Sequence, residues 1–218
     1  MPTILPSDST ILFTGDSITD CGRFEPQHRP LGAGYVRMFS DMLVAREPEK
    51  RITVLNTGIS GNAVEDLRSR WHDDVIWHKP QWLSVMIGIN DVNHWLCGVK
   101  PELRSPDAYR AVYEQVLRLT KERLPEARLV LIEPFFMSRD TDRDSYRSKV
   151  TAALRDYIAA VHNLAKAYRA ILVPMHEIFQ RHLDRRHPQA FGDEPVHPNA
   201  TGHMVIAQAV WDALSAAR

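Results

Sequence analysis

Short apolar runs bounded by turn residues alternate with longer stretches in which apolar residues recur every three or four positions. The runs Thr10 to Thr14, Ile52 to Leu55, Trp82 to Ile87, Leu129 to Ile132 and Ile171 to Val173 are too short for helices and are predicted as strands. Between the first two, Tyr35, Phe39, Met42 and Leu43 share a helical face; between the next two, Val64, Leu67, Trp71 and Val75 do the same. Ser105, Pro106 and Asp107 supply a cap, a first-turn proline and a charge suited to a helix N-terminus, and Pro125 ends that helix. Further helices are predicted from about Ser145 to Tyr168 and from about Asn199 to Ala216, the last with Ile206, Val210 and Leu214 on the side that covers the sheet. Alternation of this kind marks βα units feeding a parallel sheet. No linker rich in Gly, Ser or Pro divides the chain and no repeat is found, so 218 residues read as one domain, 1–218.

Charge removes several partner classes. Twenty-seven basic residues balance twenty-seven acidic ones, which leaves no field to draw nucleic acid or an anionic membrane. The mixed signs from Arg139 to Arg147 read as a solvated loop. No apolar run reaches the roughly 18 residues of a membrane helix. The first fifteen residues lack a basic start and enter a core strand, so no signal peptide is expected. Cys21 and Cys97 are too few for a disulfide framework, and the chain reads as soluble and cytoplasmic.

Ligands of open parallel sheets bind at the carboxyl ends of the strands, so the residues just beyond each strand are the ones to inspect. After the first comes Gly15-Asp16-Ser17-Ile18-Thr19-Asp20, which offers Ser17 either as a nucleophile at the sheet edge or as a helix cap. Cys21 is a rival nucleophile with no base near it in sequence, and reads as structural. After the second strand, Asn56-Thr57-Gly58-Ile59-Ser60-Gly61-Asn62 forms a glycine loop that lets a backbone N–H approach a ligand. After the third, Gly88-Ile89-Asn90-Asp91 places a carboxamide donor that suits an oxyanion, or a turn. Near the C-terminus, Glu194-Pro195-Val196-His197-Pro198 sets a carboxylate three residues before a histidine. Trp95, Phe135 and Phe136 are placed in loops after the third and fourth strands, where they either stack on a sugar ring or anchor the loops by burial. His197 to His203 lacks the Cys or HExxH context of a zinc site, so no metal and no cofactor are expected.

The blocks GDSITDCG, NTGISGNAV, MIGINDV and VHPNATGH, in this order, resemble the four sequence blocks of the SGNH hydrolases, also called GDSL esterases or lipases. The resemblance spans Phe13 to about Ala207 and is strongest to the intracellular acetyl-xylan and carbohydrate esterases of that family. It implies Ser17 as nucleophile, His197 as general base, and an oxyanion hole built from the N–H groups of Ser17 and Gly61 with the Asn90 side chain. Asp16 is at most a residue behind the site, and Asp16 and Asp20 shape the loop. The family usually carries Asp three residues before the histidine; here Glu194 stands there, with Asp193 beside it as an alternative acid. The fold expected is a flavodoxin-like three-layer α/β/α domain with a five-stranded parallel sheet. The implied activity is removal of acetyl groups from acetylated oligosaccharides, of xylo-oligosaccharide type, through an acyl-serine. A short-chain esterase, lysophospholipase or thioesterase with the same triad is the alternative, and a sugar-binding protein that has lost its chemistry is the non-enzymatic one. The resemblance also implies a homo-oligomer.

Overall fold

Five short runs rich in branched residues pair into one sheet in the computed structural model, which describes residues 1–217. In chain order the elements are β1 (Thr10–Gly15), α1 (Ser17–Asp20), α2 (Tyr35–Arg46), β2 (Thr53–Asn56), α3 (Val64–Trp71) and β3 (Trp82–Met86). They continue with α4 (Ile89–Leu96), α5 (Pro101–Arg104), α6 (Pro106–Arg123), β4 (Arg128–Ile132), α7 (Tyr146–Ala167), β5 (Ile171–Val173), α8 (Met175–Leu183) and α9 (Ala200–Ala216). All strand pairs are parallel, in the order β2-β1-β3-β4-β5. This is the expected flavodoxin-like α/β arrangement. Among the described residues no helix is long and apolar enough to cross a membrane.

The sheet explains its own sequence. All five residues of β3 are buried, as a central strand covered on both faces requires, whereas the edge strands β2 and β5 are only partly covered. Helices α2, α8 and α9 pack together on one face, and α3, α4, α6 and α7 on the other. On the α2 side, Phe13 meets Tyr35 and Phe39 edge-on at 5.7 and 5.4 Å between ring centres. Ser105, the expected cap, accepts from the Ala108 N–H, and at the expected starts of the two other long helices Ser145 accepts from Ser148 and Asn199 from Gly202. The strand ends differ from expectation by one residue at β1, β2, β3 and β4, because ladder pairing and not apolar character decides where a strand stops.

The chain leaves β1 for β2 on one side and then crosses over β1 to reach β3. The carboxyl ends of β1 and β3 therefore flank the switch in strand order, where a crevice opens. The segments holding Ser17 and Asn90 leave the sheet at that place.

Candidate active site

Ser17 opens α1 directly after β1. Asp16 caps that turn, accepting from the Ile18 N–H at 3.0 Å, and the Ser17 N–H is one of the helix-start amides with no carbonyl of its own helix to bond. His197 lies in the loop between α8 and α9. Its Nε2 is 2.8 Å from Ser17 Oγ, and its Nδ1 is 2.6 Å from Glu194 Oε1. A carboxylate only accepts, so the imidazole proton belongs on Nδ1 and the Nε2 lone pair faces the serine hydroxyl. The backbone N–H groups of Val196 and His197 donate to the two Glu194 oxygens at 2.8 and 2.6 Å, which fixes the carboxylate in its own loop. Met137 N–H donates to the Pro195 carbonyl at 2.8 Å and ties this loop to the segment after β4. The structure thus brings Glu194, the longer of the two candidate acids, to the histidine; Asp193 is exposed beside it.

The loop after β2 carries the third element. Gly61 has φ +81°, a left-handed conformation that glycine adopts without strain. Asn90, in the first turn of α4, donates from Nδ2 to the Asn62 carbonyl at 2.8 Å, so one of its two amide hydrogens ties the loops after β2 and β3 and the other is left for a ligand. At Gly58 a Cβ would lie 2.5 Å from the Asp20 N atom, so the loops after β1 and β2 meet only because no side chain is there. Asp20 then accepts from the Ser60 N–H at 3.0 Å and from its hydroxyl at 2.7 Å.

Several residues that hold this edge escaped the sequence reading. Arg70, at the end of α3, donates to the carbonyls of Gly15 and Thr57 at 3.1 and 2.6 Å and to Asn62 Oδ1 at 2.7 Å, joining the end of β1 to both ends of the loop after β2. Asn56 donates to the carbonyls of Thr19 and Leu31 at 2.7 and 2.8 Å. A basic residue in the last turn of an amphipathic helix reads as solvated, and nothing local marks it as a loop clamp. Two carboxyls are sealed behind the site: burial pushes Asp16 up to about 7, against the opposing pull of the Ile18 N–H and His197, and pushes Asp91 up to about 7 despite Arg104 at 3.4 Å.

The aromatic expectation is corrected in part. Phe135 and Phe136 are 0 % and 3 % exposed, and Phe135 packs against Phe179 with tilted rings 4.5 Å apart at their centres, so neither offers a face to a sugar. They anchor the loop after β4 by burial. Trp95 is in α4 and not in a loop, half-buried and packed on the core. Cys21 pairs with His203, whose Nε2 is 3.4 Å from Sγ while its Nδ1 accepts from the Tyr35 N–H at 3.2 Å.

A serine held by an imidazole that is itself held by a carboxylate, with donors gathered at one strand end, is an arrangement that can move a proton and stabilise an oxyanion. Residues 13–205 match the model of the GDSL-like Lipase/Acylhydrolase family. The chain belongs to this family. This GDSL-like acylhydrolase is a serine carboxylic ester hydrolase by that membership, and it is 38% identical over 209 residues to an acetylxylan esterase of Geobacillus stearothermophilus, covering 93% of this chain and 92% of that one. The crystal structure of Axe2, an acetylxylan esterase from Geobacillus stearothermophilus, superimposes with a TM-score of 0.85 at 35% identity, covering 96% of this chain and 95% of that one. LAE5, an α/β hydrolase from the metagenome of Lake Arreo, superimposes with a TM-score of 0.86 at 31% identity over 96% of each chain.

Proposed function

We propose that this protein removes acetyl groups from acetylated xylo-oligosaccharides through an acyl-enzyme on Ser17. The observation that carries the mechanism is the relay from Glu194 through His197 to Ser17, with contacts of 2.6 and 2.8 Å at the sheet's carboxyl edge. His197 Nε2 takes the hydroxyl proton as Ser17 Oγ attacks the ester carbonyl, and the oxyanion that forms is held by the N–H groups of Ser17 and Gly61 and by Asn90 Nδ2. The tetrahedral adduct collapses, His197 returns the proton to the departing sugar oxygen, and the acetyl group stays on Ser17. Water then attacks with the same base, releasing acetate and restoring the serine.

The substrate reading draws on the relatives. Axe2 is described as an acetyl-xylooligosaccharide esterase, and its catalytic mutants alter a serine, a histidine and an aspartate, the last two placed three residues apart as Glu194 and His197 are. The experiment is hydrolysis of 4-nitrophenyl acetate near pH 7 to 8 without added metal, by wild type and Ser17→Ala. Turnover is expected to fall by about a thousandfold or more in the variant. Equal activity in both proteins overturns the mechanism. Acetate release from acetylated xylobiose, set against hydrolysis of lysophosphatidylcholine, tests the substrate; activity on the lipid alone overturns that part.

A further inference from the structure

Helix α4 carries Asn90 in its first turn and keeps a polar stripe running away from it. Asn90, Asn93, His94 and Cys97 are spaced at zero, three, four and seven residues, which sets them on one helical face, while Ile89, Asp91 and Val92 on the other are buried. Asn93 and His94 are half-buried. Tyr146, the first residue of α7, reaches this stripe. Its hydroxyl donates to Asn93 Oδ1 at 3.0 Å and lies 3.6 Å from Cys97 Sγ, yet 48 % of the residue stays exposed. His94 buries Nδ1 with no hydrogen-bond partner among the described residues, which leaves Nε2 as the ring nitrogen for a ligand.

A structural helix face has no need of this set. Asn93 has its oxygen taken by Tyr146 and two amide hydrogens left over. Those hydrogens remain within reach of solvent, so a ligand hydroxyl can replace the water that bonds them. Neighbours three and four apart on a helix are about 5–6 Å apart at Cβ, so Asn93 and His94 stand one turn from the oxyanion donor Asn90. A single pyranose ring spans that gap.

We propose that Asn93, His94 and Tyr146 form the saccharide subsite of this enzyme, binding hydroxyls of the sugar ring that carries the scissile acetyl. The inference rests on the sugar-ester reading above. A sugar hydroxyl both donates and accepts, so it satisfies the Asn93 amide hydrogens and His94 Nε2 in either tautomer, and the exposed Tyr146 ring offers apolar surface to the C–H face of the sugar.

The test measures kcat and KM for wild type, Asn93→Ala, His94→Ala and Tyr146→Phe on acetylated xylobiose and on 4-nitrophenyl acetate, with a melting curve for each protein. The ratio of kcat/KM for the sugar to kcat/KM for the nitrophenyl ester is expected to fall about tenfold in Asn93→Ala, chiefly through KM, as loss of one bound-state hydrogen bond predicts. Tyr146→Phe keeps the ring and removes only the hydroxyl, so it remains readable if Asn93→Ala does not fold. Ratios within about twofold of wild type in every folded variant overturn the subsite while leaving the substrate reading intact. Wild-type turnover of the nitrophenyl ester with none of the sugar ester overturns both.

Discussion

Two imidazoles stand six residues apart in the chain and address two side chains four residues apart, His197 on Ser17 and His203 on Cys21. The chemistry on offer differs because of what holds the far side of each ring. His197 has a carboxylate at Nδ1, so its proton is fixed there and Nε2 is a free base. His203 has the Tyr35 N–H at Nδ1, so the neutral ring carries its proton on Nε2 and has no lone pair there to take the proton of the thiol. His197 is 58 % exposed at its side chain, whereas His203 is 5 % exposed and stacked on Tyr35. A nucleophile and an imidazole in contact are thus not enough; the third group sets the direction of proton flow.

After Ser17→Ala, the largest expected effect that sharpens this comparison comes from the third group. Removing an orienting acid in a buried triad costs about 10⁴-fold in kcat. Here the Glu194 side chain is 45 % exposed, so solvent screens its charge and Glu194→Ala is expected to lose about 10²-fold to 10³-fold. Asp193→Ala should stay within about twofold, as ordinary surface replacements do. Steady-state hydrolysis of 4-nitrophenyl acetate reads both; the reverse order of effects would move the acid role to Asp193.

The second contrast is in stability. Burial, with a smaller contribution from His197, pulls His203 down to about 4, so the folded protein keeps it neutral where the unfolded chain, with an ordinary histidine near 6.5, takes up a proton. The unfolded state therefore gains protons first as pH falls. The contribution of His203 is intact above about pH 6.5 and is lost progressively between about pH 6.5 and 4, at up to about 1.4 kcal/mol per pH unit. Asp16 and Asp91, raised to about 7, act with the opposite sign between about pH 4 and 7, so the wild-type curve alone hides the effect. The measurement is the difference in unfolding free energy between wild type and His203→Gln across pH 4 to 7. Wild type should lose ground to the variant as the solution is acidified, and parallel curves would show that His203 takes up its proton in the fold.

The same pair shows how far the sequence could be read. Helical period, short apolar runs and the cap at Ser105 are local signals, and the elements they predict are present with ends shifted by about a residue. Ser17, Gly61 and Asn90 follow strands and His197 precedes the last helix, so position along the chain marks them for inspection, while the roles proposed for them come from the family resemblance. Side-chain direction is not local. Phe135 and Phe136 follow β4 as ligand-facing residues would, but the register of the loop turns them into the core. Arg70 and the Cys21–His203 pair depend on contacts 55 and 182 residues apart, and no pattern along one helix announces them.

The smallest expected effect is at Cys21. If the direction of proton flow depends on the group behind the imidazole, removing this thiol leaves the chemistry untouched, since neutral His203 offers Cys21 no lone pair at Nε2. Burial also pushes the Cys21 thiol up from its ordinary value, which leaves little thiolate near neutral pH. Cys21→Ser is therefore expected to keep kcat on 4-nitrophenyl acetate within about twofold, the range of substitutions outside a reaction centre. Iodoacetamide at pH 8 supplies a second readout, with the exposed Cys97 as an internal reference in the same molecule. Mass spectrometry of the peptides should show Cys97 alkylated well before Cys21. A loss of activity comparable to that of Ser17→Ala, or faster labelling at Cys21, would mean that His203 draws the thiol proton after all and that the contrast between the two imidazoles is wrong.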